Sequence, residues 1–485
     1  MIDTEALRKK VIDLAIQGKL TEQLPSDGDA ETLYAQILDQ KSQLIKEGKI
    51  KKQQTKPMTD TVPFDIPCNW KWVRVGDIEE INLGFTYRPE YVDDGVYFLS
   101  AKDISGGKVN FEEAKKVSVE TYNNAAYGSK PHKGDVLFCR VGTIGKPQVI
   151  YDDVEFCIFV SLGFFRDHFK IIVPEYIALW MNSKLFDKQV DFEVKGALQR
   201  NLNTGWLKDF LIPLPPCSEQ KRIVERIETI NDQIGIIDDL QAKYSNDLAV
   251  LKSKVIDAGI QGKLTEQLPE DGDAKDLYAQ ILNQKSQLIK EGKIKKEKQL
   301  PDIAADEIPF EIPENWKWVR LGDISSKISS GNTPAGGKKS DAYVKEGFCF
   351  FREQNIYDDG IRDEGMVYIS EELLNSRPNS TVLPKDILLN ITGGSIGRCA
   401  IVPDDFSKGS INQHILIIRM IDERLRHYIH HCLCSPYMQR YIKGKSVGDK
   451  DGFSGGRCKN MLIPLPPINE QKRICEKTDL MLAQM

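Results

Sequence analysis

Residues Lys10–Lys52 read KVIDLAIQGKLTEQLPSDGDAETLYAQILDQKSQLIKEGKIKK, and Lys254–Lys296 read KVIDAGIQGKLTEQLPEDGDAKDLYAQILNQKSQLIKEGKIKK. The two stretches agree at 37 of 43 positions. Two more pairs of boxes follow in the same order. FDIPCNWKWVRVGDI at Phe64–Ile78 matches FEIPENWKWVRLGDI at Phe310–Ile324, and IPLPPCSEQKRI at Ile212–Ile223 matches IPLPPINEQKRI at Ile463–Ile474. A period of roughly 245 residues is too long for a solenoid, whose repeat is about 20–50. Two whole domains are therefore duplicated. Between the second and third boxes the two copies are mostly dissimilar, so near-identical frames surround divergent contents. That pattern predicts one scaffold carrying two specificities.

The frames read as helical. From Ser218, Ile223, Ile227, Ile230, Ile234, Ile237, Tyr244, Leu248, Leu251 and Val255 recur at mostly three- and four-residue spacing. This is a coiled-coil seam, and it predicts a helix from Ser218 to about Ile260, roughly 60 Å long. Ser218 is the candidate N-cap, with Glu219 in the first turn facing the positive end of the helix dipole. By repeat register, the C-terminal stretch from Asn469 and the N-terminal stretch to Gln17 together supply nearly a second copy of this helix. The expected arrangement is therefore a circular repeat with a pseudo-two-fold axis. Lys41–Lys56 and Lys285–Lys298 read as Lys-rich linkers into each variable domain.

The variable regions read as mixed α/β. β-rich runs at Asp135–Val141 and Asp386–Thr392 lead into glycine turns, and helical stretches lie around Pro174–Val190 and Leu425–Lys443. The predicted organisation is 1–57, helical frame and linker; 58–210, first variable domain; 211–300, central frame; 301–462, second variable domain; 463–485, C-terminal helical frame. The fold class is α/β, with two globular domains joined by long antiparallel coiled-coil helices.

Composition narrows the function. The chain has 485 residues with 41% hydrophobic, 28% charged and a net charge of −5, so it is globular and not basic in bulk. No apolar run is long enough to span a bilayer, and the first residues lack a signal-peptide core. Ten cysteines without a CxxC pair fit a reduced, cytoplasmic setting.

Catalytic motifs are missing. Gly331-Asn-Thr-Pro-Ala-Gly-Gly-Lys-Lys-Ser misses P-loop spacing by a residue, and it reads as a flexible basic loop. There is no dinucleotide fingerprint, no Asn/Asp-Pro-Pro-aromatic methyltransferase signature and no nuclease pattern. His427, His430, His431 and Cys434 share a helix face with metal-ligand spacing. The equivalent positions of the first copy are Glu175, Ala178, Leu179 and Asn182, so no shared metal role follows. Basic residues cluster within Arg424–Lys459 and Lys184–Lys208, each patch holding a polar, Gly-containing loop. Lys and Arg there suit phosphates, while Arg, Asn and Gln suit base edges.

The paired IPLPP-x-x-EQ-K-R-I boxes, the NW-x-W-V-R-(V/L)-GDI starts and the IQGKLTEQ segments resemble the specificity subunit of type I restriction–modification systems. The resemblance covers essentially the whole chain. It implies two target-recognition domains, each reading one half of a split double-stranded DNA target. The helical regions then act as spacer and as docking sites for two methyltransferase subunits, with motor-nuclease restriction subunits joining the assembly. It implies no catalysis and no cofactor of this chain's own: S-adenosylmethionine, Mg and ATP belong to the partners. The candidate DNA contacts are Arg88, Arg140, Lys146, Lys195, Gln199, Arg200, Asn201 and Asn203 in the first domain. In the second they are Asn332, Thr333, Lys338, Lys339, Ser395, Arg398, Asn412, Gln413, His414, Lys445 and Lys450. The first domain departs from the pattern, with Gly84-Phe-Thr and Val160-Ser-Leu where the second has Gly331-Asn-Thr and Asn412-Gln-His. Two other classes of function compete: a coiled-coil adaptor that binds proteins only, and a single-chain restriction–methylation enzyme.

Overall fold

The computed structural model describes residues 1–50, 52, 54–58, 61–104, 106–194, 201–334, 342–444 and 453–485. The chain divides into two compact units, Met1–Ala242 and Lys243–Met485. In the first unit the chain runs α1 (Thr4–Ile16), α2 (Ala30–Lys46), β1 (Lys71–Arg74), α3 (Val75–Ile78), β2 (Glu80–Leu83), β3 (Val96–Leu99) and β4 (Lys115–Val117). Then come α4 (Val119–Asn124), β5 (Val136–Cys139), β6 (Gly145–Val149), β7 (Phe156–Ile158) and β8 (Leu162–Arg166). The last elements are α5 (Pro174–Met181), α6 (Lys184–Val194), α7 (Thr204–Leu207), β9 (Leu211–Leu214) and α8 (Cys217–Ile260), which continues into the second unit.

The second unit continues with α9 (Ala274–Lys290), β10 (Lys317–Arg320), α10 (Leu321–Ile324), β11 (Ser325–Ser330), β12 (Tyr343–Val344), β13 (Phe348–Phe351), β14 (Ile356–Tyr357) and β15 (Gly360–Ile361). Next are β16 (Val367–Ile369), α11 (Glu371–Asn375), β17 (Thr381–Val382), β18 (Ile387–Asn390), β19 (Cys399–Ile401), β20 (Gly409–Ile411) and β21 (Ile415–Met420). It closes with α12 (Arg426–Cys434), α13 (Pro436–Gly444), α14 (Gly455–Lys459), β22 (Leu462–Leu465) and α15 (Ile468–Ala483).

Both units use the same strand plan. An antiparallel sheet has the order β2-β8-β5-β6 in the first and β11-β21-β18-β19 in the second. A second sheet, β4-β3-β7, recurs as β16-β13-β20, widened there by β12 and β17. Its central pair is parallel in both units.

The repeated boxes find each other in space. β1 pairs with β9 and β10 with β22, placing Trp72 opposite Pro213 and Trp318 opposite Pro464. Each ladder has only two strands, so a proline can sit in it without breaking a central hydrogen bond. The proline carbonyls are used as well: Tyr176 Oη donates to Pro213 O at 2.7 Å and Tyr428 Oη to Pro464 O at 2.6 Å. A buried glutamate ties the frame together. Glu219 accepts from Trp70 Nε1 at 2.8 Å, Gln23 Nε2 at 3.0 Å and Thr21 Oγ1 at 3.0 Å. Glu470 does the same with Trp316, Gln267 and Thr265. Beside them Arg222 grips Asp27 and Arg473 grips Asp271. The arginine is the largest cause holding Asp27 down to about 2, despite burial. Gly18 and Gly262, at φ +70, turn the chain so closely that a Cβ would lie 2.4 Å from Pro67 or Pro313.

α8 spans the predicted range, but Ser218 does not cap it. The helix begins one residue earlier, at Cys217, and Ser218 Oγ donates to Asp27. α1 lies antiparallel to the first part of α8: Ile2 meets Gln241, Thr4 meets Asp238 and Arg8 meets Asn231. In the second unit Ile474 and Thr478 of α15 pack against Gly259. The seam is accordingly buried at Ile223, Ile227, Ile234 and Val255. It is open in the middle, where Tyr244 is 61% and Leu251 46% exposed.

Two expectations are corrected. The lysine-rich stretches are not simple linkers, because Lys41 on α2 and Lys285 on α9 cap short frame helices through the carbonyls of Gly76–Asp77 and Gly322–Asp323. The helical stretches at 174–190 and 425–443 are each broken in two. Buried Ser183 and Ser435 donate back to Trp180 O and Cys432 O at 2.6 Å and accept from the next helix's backbone.

Candidate nucleic-acid interface

In the second unit three loops converge at one end of the sheets: 331–334 after β11, 392–397 after β18 and 412–414 between β20 and β21. Gly331 is dictated by this approach, since a Cβ there would sit 1.9 Å from Ile411 O. Asn412 is buried and structural, its Nδ2 donating to Glu353 Oε2 at 2.8 Å and its Oδ1 accepting from His414 N at 3.0 Å. Burial works to raise the Glu353 carboxyl, but the Asn412 amide, with His414 and Arg352, outweighs it and holds it below its ordinary value.

On that base His414 Nδ1 is 2.7 Å from Thr392 Oγ1, and its Nε2 is 2.9 Å from Gln413 Nε2. Thr333 Oγ1 bonds Gln413 Oε1. Gln413 remains exposed. Ser395 accepts from buried Asn390, and Arg398 stacks on Tyr357 with its guanidinium carbon 4.6 Å from the ring centroid. The backbone carbonyl of Asn332 accepts from Arg377 Nη1 at 2.8 Å. Candidates some 80 residues apart in sequence thus form one polar cluster.

The first unit has the same cluster position with different contents. Leu137 pairs with Phe164 as Leu388 pairs with Ile417. Arg140 N bonds Ser161 O as Ile391 N bonds His414 O. This register sets Phe159, Val160 and Ser161 against Asn412, Gln413 and His414, one residue earlier than the match of Val160-Ser-Leu to Asn412-Gln-His that the sequence suggests. Gly84 does match Gly331: its Cβ would lie 2.2 Å from Ile158 O. Phe85, paired with Phe159, leads an aromatic group with Tyr87, Phe98 and Tyr91.

Arg140 is buried, and its Nε and Nη1 donate to Leu202 O at 3.0 Å and Val160 O at 2.8 Å, so it is a latch between loops. Burial lowers its pKa from the usual arginine value. Asn201 bridges to Val141, joining the same loop group, and Asn203 caps α7 through Gly205 N. Arg88 and Lys146 are exposed, Lys146 at φ 52 in the first residues of β6. Lys195, Gln199, Arg200, Lys338, Lys339, Lys445 and Lys450 lie outside the described residues.

The basic patches carry less open charge than their composition implies. Arg424 pairs with Asp422, Arg426 with Asp404, Lys459 with Glu297 and Lys184 with Asp13. The histidine face does not converge: His430 Nε2 meets Cys399 O at 2.9 Å and Cys434 Sγ at 3.7 Å, while His431 meets Asp479 at 3.1 Å. Among the described residues no group of three His, Cys, Asp or Glu side chains could hold a metal ion. These residues instead line a cavity of about 620 Å³, mirrored in the first unit by one of about 610 Å³ lined by Glu175, Ala178, Leu179 and Asn182. Glu353, Thr392 and Arg377 were missed in the sequence. Only Thr392 has a local signal, closing a β-rich run just before its glycine turn.

Comparison with known proteins gives a consistent result. The type I restriction modification DNA specificity domain matches the chain twice, at residues 67–243 and 313–479. The Escherichia coli type I restriction enzyme EcoAI specificity subunit is 26% identical, over 98% of this chain and 88% of its own length. A putative type I restriction enzyme MjaX specificity subunit from Methanocaldococcus jannaschii is also 26% identical, over 85% of this chain and 87% of its own. A chain solved in work on complex assembly and conformational transition of the type I R-M system shares the fold, with a TM-score of 0.57 and 19% identity. That match covers 87% of this chain and 92% of that one.

Proposed function

The chain belongs to the type I restriction modification DNA specificity family, and from that membership we propose that it is the DNA sequence-recognition subunit of a type I restriction–modification complex. It is non-catalytic and confers sequence choice on partners. The observation that carries this reading is the contrast between the units. The strand order, the tryptophan–glutamate tie and the glycine-enforced loop approach recur, whereas the cluster they hold up changes from the amides and imidazole of Asn412, Gln413 and His414 to the aromatic, aliphatic and hydroxyl side chains of Phe159, Val160 and Ser161. A scaffold kept constant under two different chemistries suits two different half-sites on one duplex.

The finer assignments are part of the proposal. Each recognition domain reads one half of a bipartite double-stranded target, and the frame helices dock two methyltransferase subunits while spacing the half-sites. Restriction subunits complete the complex in the cytoplasm. S-adenosylmethionine, Mg and ATP are held by those partners. Among the described residues no helix is long and apolar enough to cross a membrane.

The test is an exchange. The full chain, co-expressed with a methyltransferase subunit, should direct N6-methyladenine to a two-part motif. Replacing residues 58–210 by another recognition domain should alter one half of that motif and preserve the other. If both halves changed together, or if the purified chain alone transferred methyl groups to DNA, the reading would be wrong.

A further inference from the structure

We propose that Gln413 reads an adenine in the half-site bound by the second unit, and that Thr333, Thr392 and His414 hold its amide in the reading position. This rests on the DNA-recognition role proposed above and assigns the base class at one point of it. The side chain is exposed yet gripped at both ends, its oxygen by Thr333 and its nitrogen by His414, which is itself held by Thr392. The backbone beneath it is pinned, because Asn412 ties His414 N to the Glu353 carboxylate.

The hydrogen-bond chain leaves a defined remainder. If His414 carries its proton on Nδ1, it donates to Thr392 and accepts from the Gln413 amide, whose oxygen then accepts from Thr333. Reversing every donor turns the amide over and satisfies the chain equally well. Both arrangements leave Gln413 with one N–H and one oxygen lone pair. In the major groove adenine alone presents an adjacent acceptor and donor, N7 and N6–H. Guanine offers two acceptors, cytosine a donor, and thymine an acceptor with a methyl group. The leftover functions of Gln413 therefore complement adenine. Because the amide is already fixed, less rotamer freedom is lost on binding than for a mobile surface glutamine. At the same register the first unit has Val160, which lacks a polar group, so its half-site provides an internal control.

The experiment uses the full-length chain in complex with its methyltransferase subunit. Methylation mapping defines the motif, and exchange of residues 58–210 shows which half belongs to the second unit. Duplexes carrying 7-deazaadenine, which lacks the N7 acceptor, at one adenine of that half at a time are then assayed for binding and methyl transfer. Wild type should lose roughly 5- to 150-fold at one adenine, and Gln413→Ala should show no further loss there. His414→Ala should weaken discrimination at that same base pair and leave the other half-site unchanged. Identical deaza profiles for wild type and Gln413→Ala would overturn the assignment. A wild-type complex that marks no two-part motif would bring down the recognition reading and this assignment with it.

Discussion

Replacing Glu219 by Gln tests whether the frame is held together by its buried carboxylate. Glu219 is fully buried and receives three side-chain donors, the shortest from Trp70 Nε1 at 2.8 Å. A glutamine can keep only one acceptor oxygen. Its cheapest orientation turns the amide nitrogen toward Trp70, leaving the indole N–H and the new amide N–H without partners. Each buried donor left unsatisfied costs about 1–3 kcal/mol, so two at the lower end give an expected loss of about 2 kcal/mol. For a unit of this size that is about 4–8 °C in Tm. Scanning calorimetry should show one transition falling by that amount, with hydrogen exchange locating the loss in residues 1–242. Glu470→Gln, at the equivalent position opposite Trp316, should lower the other unit instead. Trp70→Phe added to Glu219→Gln should recover about 1 kcal/mol, because the orphaned indole N–H is gone. An unchanged Tm for Glu219→Gln, or a loss of protection spread evenly over both units, would refute the reasoning.

Gly262→Ala, placing a Cβ at φ +70 and 2.4 Å from Pro313, should cost at least about 1–2 kcal/mol, seen in calorimetry as a lower transition for the second unit. Ile474→Asp, at a 2%-exposed seam position beside Gly259, should cost at least about 3 kcal/mol and strip α15 of exchange protection first. Cys434, whose thiol the Cys399 thiol and His430 pull down against burial, should be alkylated by iodoacetamide at pH 7 before Cys458, which burial pushes up to about 12. His430→Leu should slow that labelling, read by peptide mass spectrometry; an unchanged rate would show that the imidazole does not activate the thiol.

The sequence by itself determined the duplication, the mixed α/β class and the long helix, for local reasons. Apolar residues at helical spacing from Ile223 to Val255 specify a helix whatever surrounds them, and α8 ends at Ile260 within the predicted range. Box identity likewise marked the frame, although not that β1 and β9 pair across some 140 residues. Tertiary structure decided the rest, because it depends on contacts between distant positions. Whether Arg140 faces a ligand or the loop carbonyls of Val160 and Leu202 depends on how three loops meet. Which residue of the first unit is the equivalent of Gln413 depends on ladder register, and a one-residue slip sends every side chain to the other face. Ser218 had the composition of a cap, yet Asp27, 191 residues away, claims its hydroxyl. The seam promised burial throughout, but α1 meets α8 only as far as Gln241, and Tyr244 and Leu251 are left in solvent. Periodicity encodes the direction a side chain faces; only the packed chain supplies what it faces.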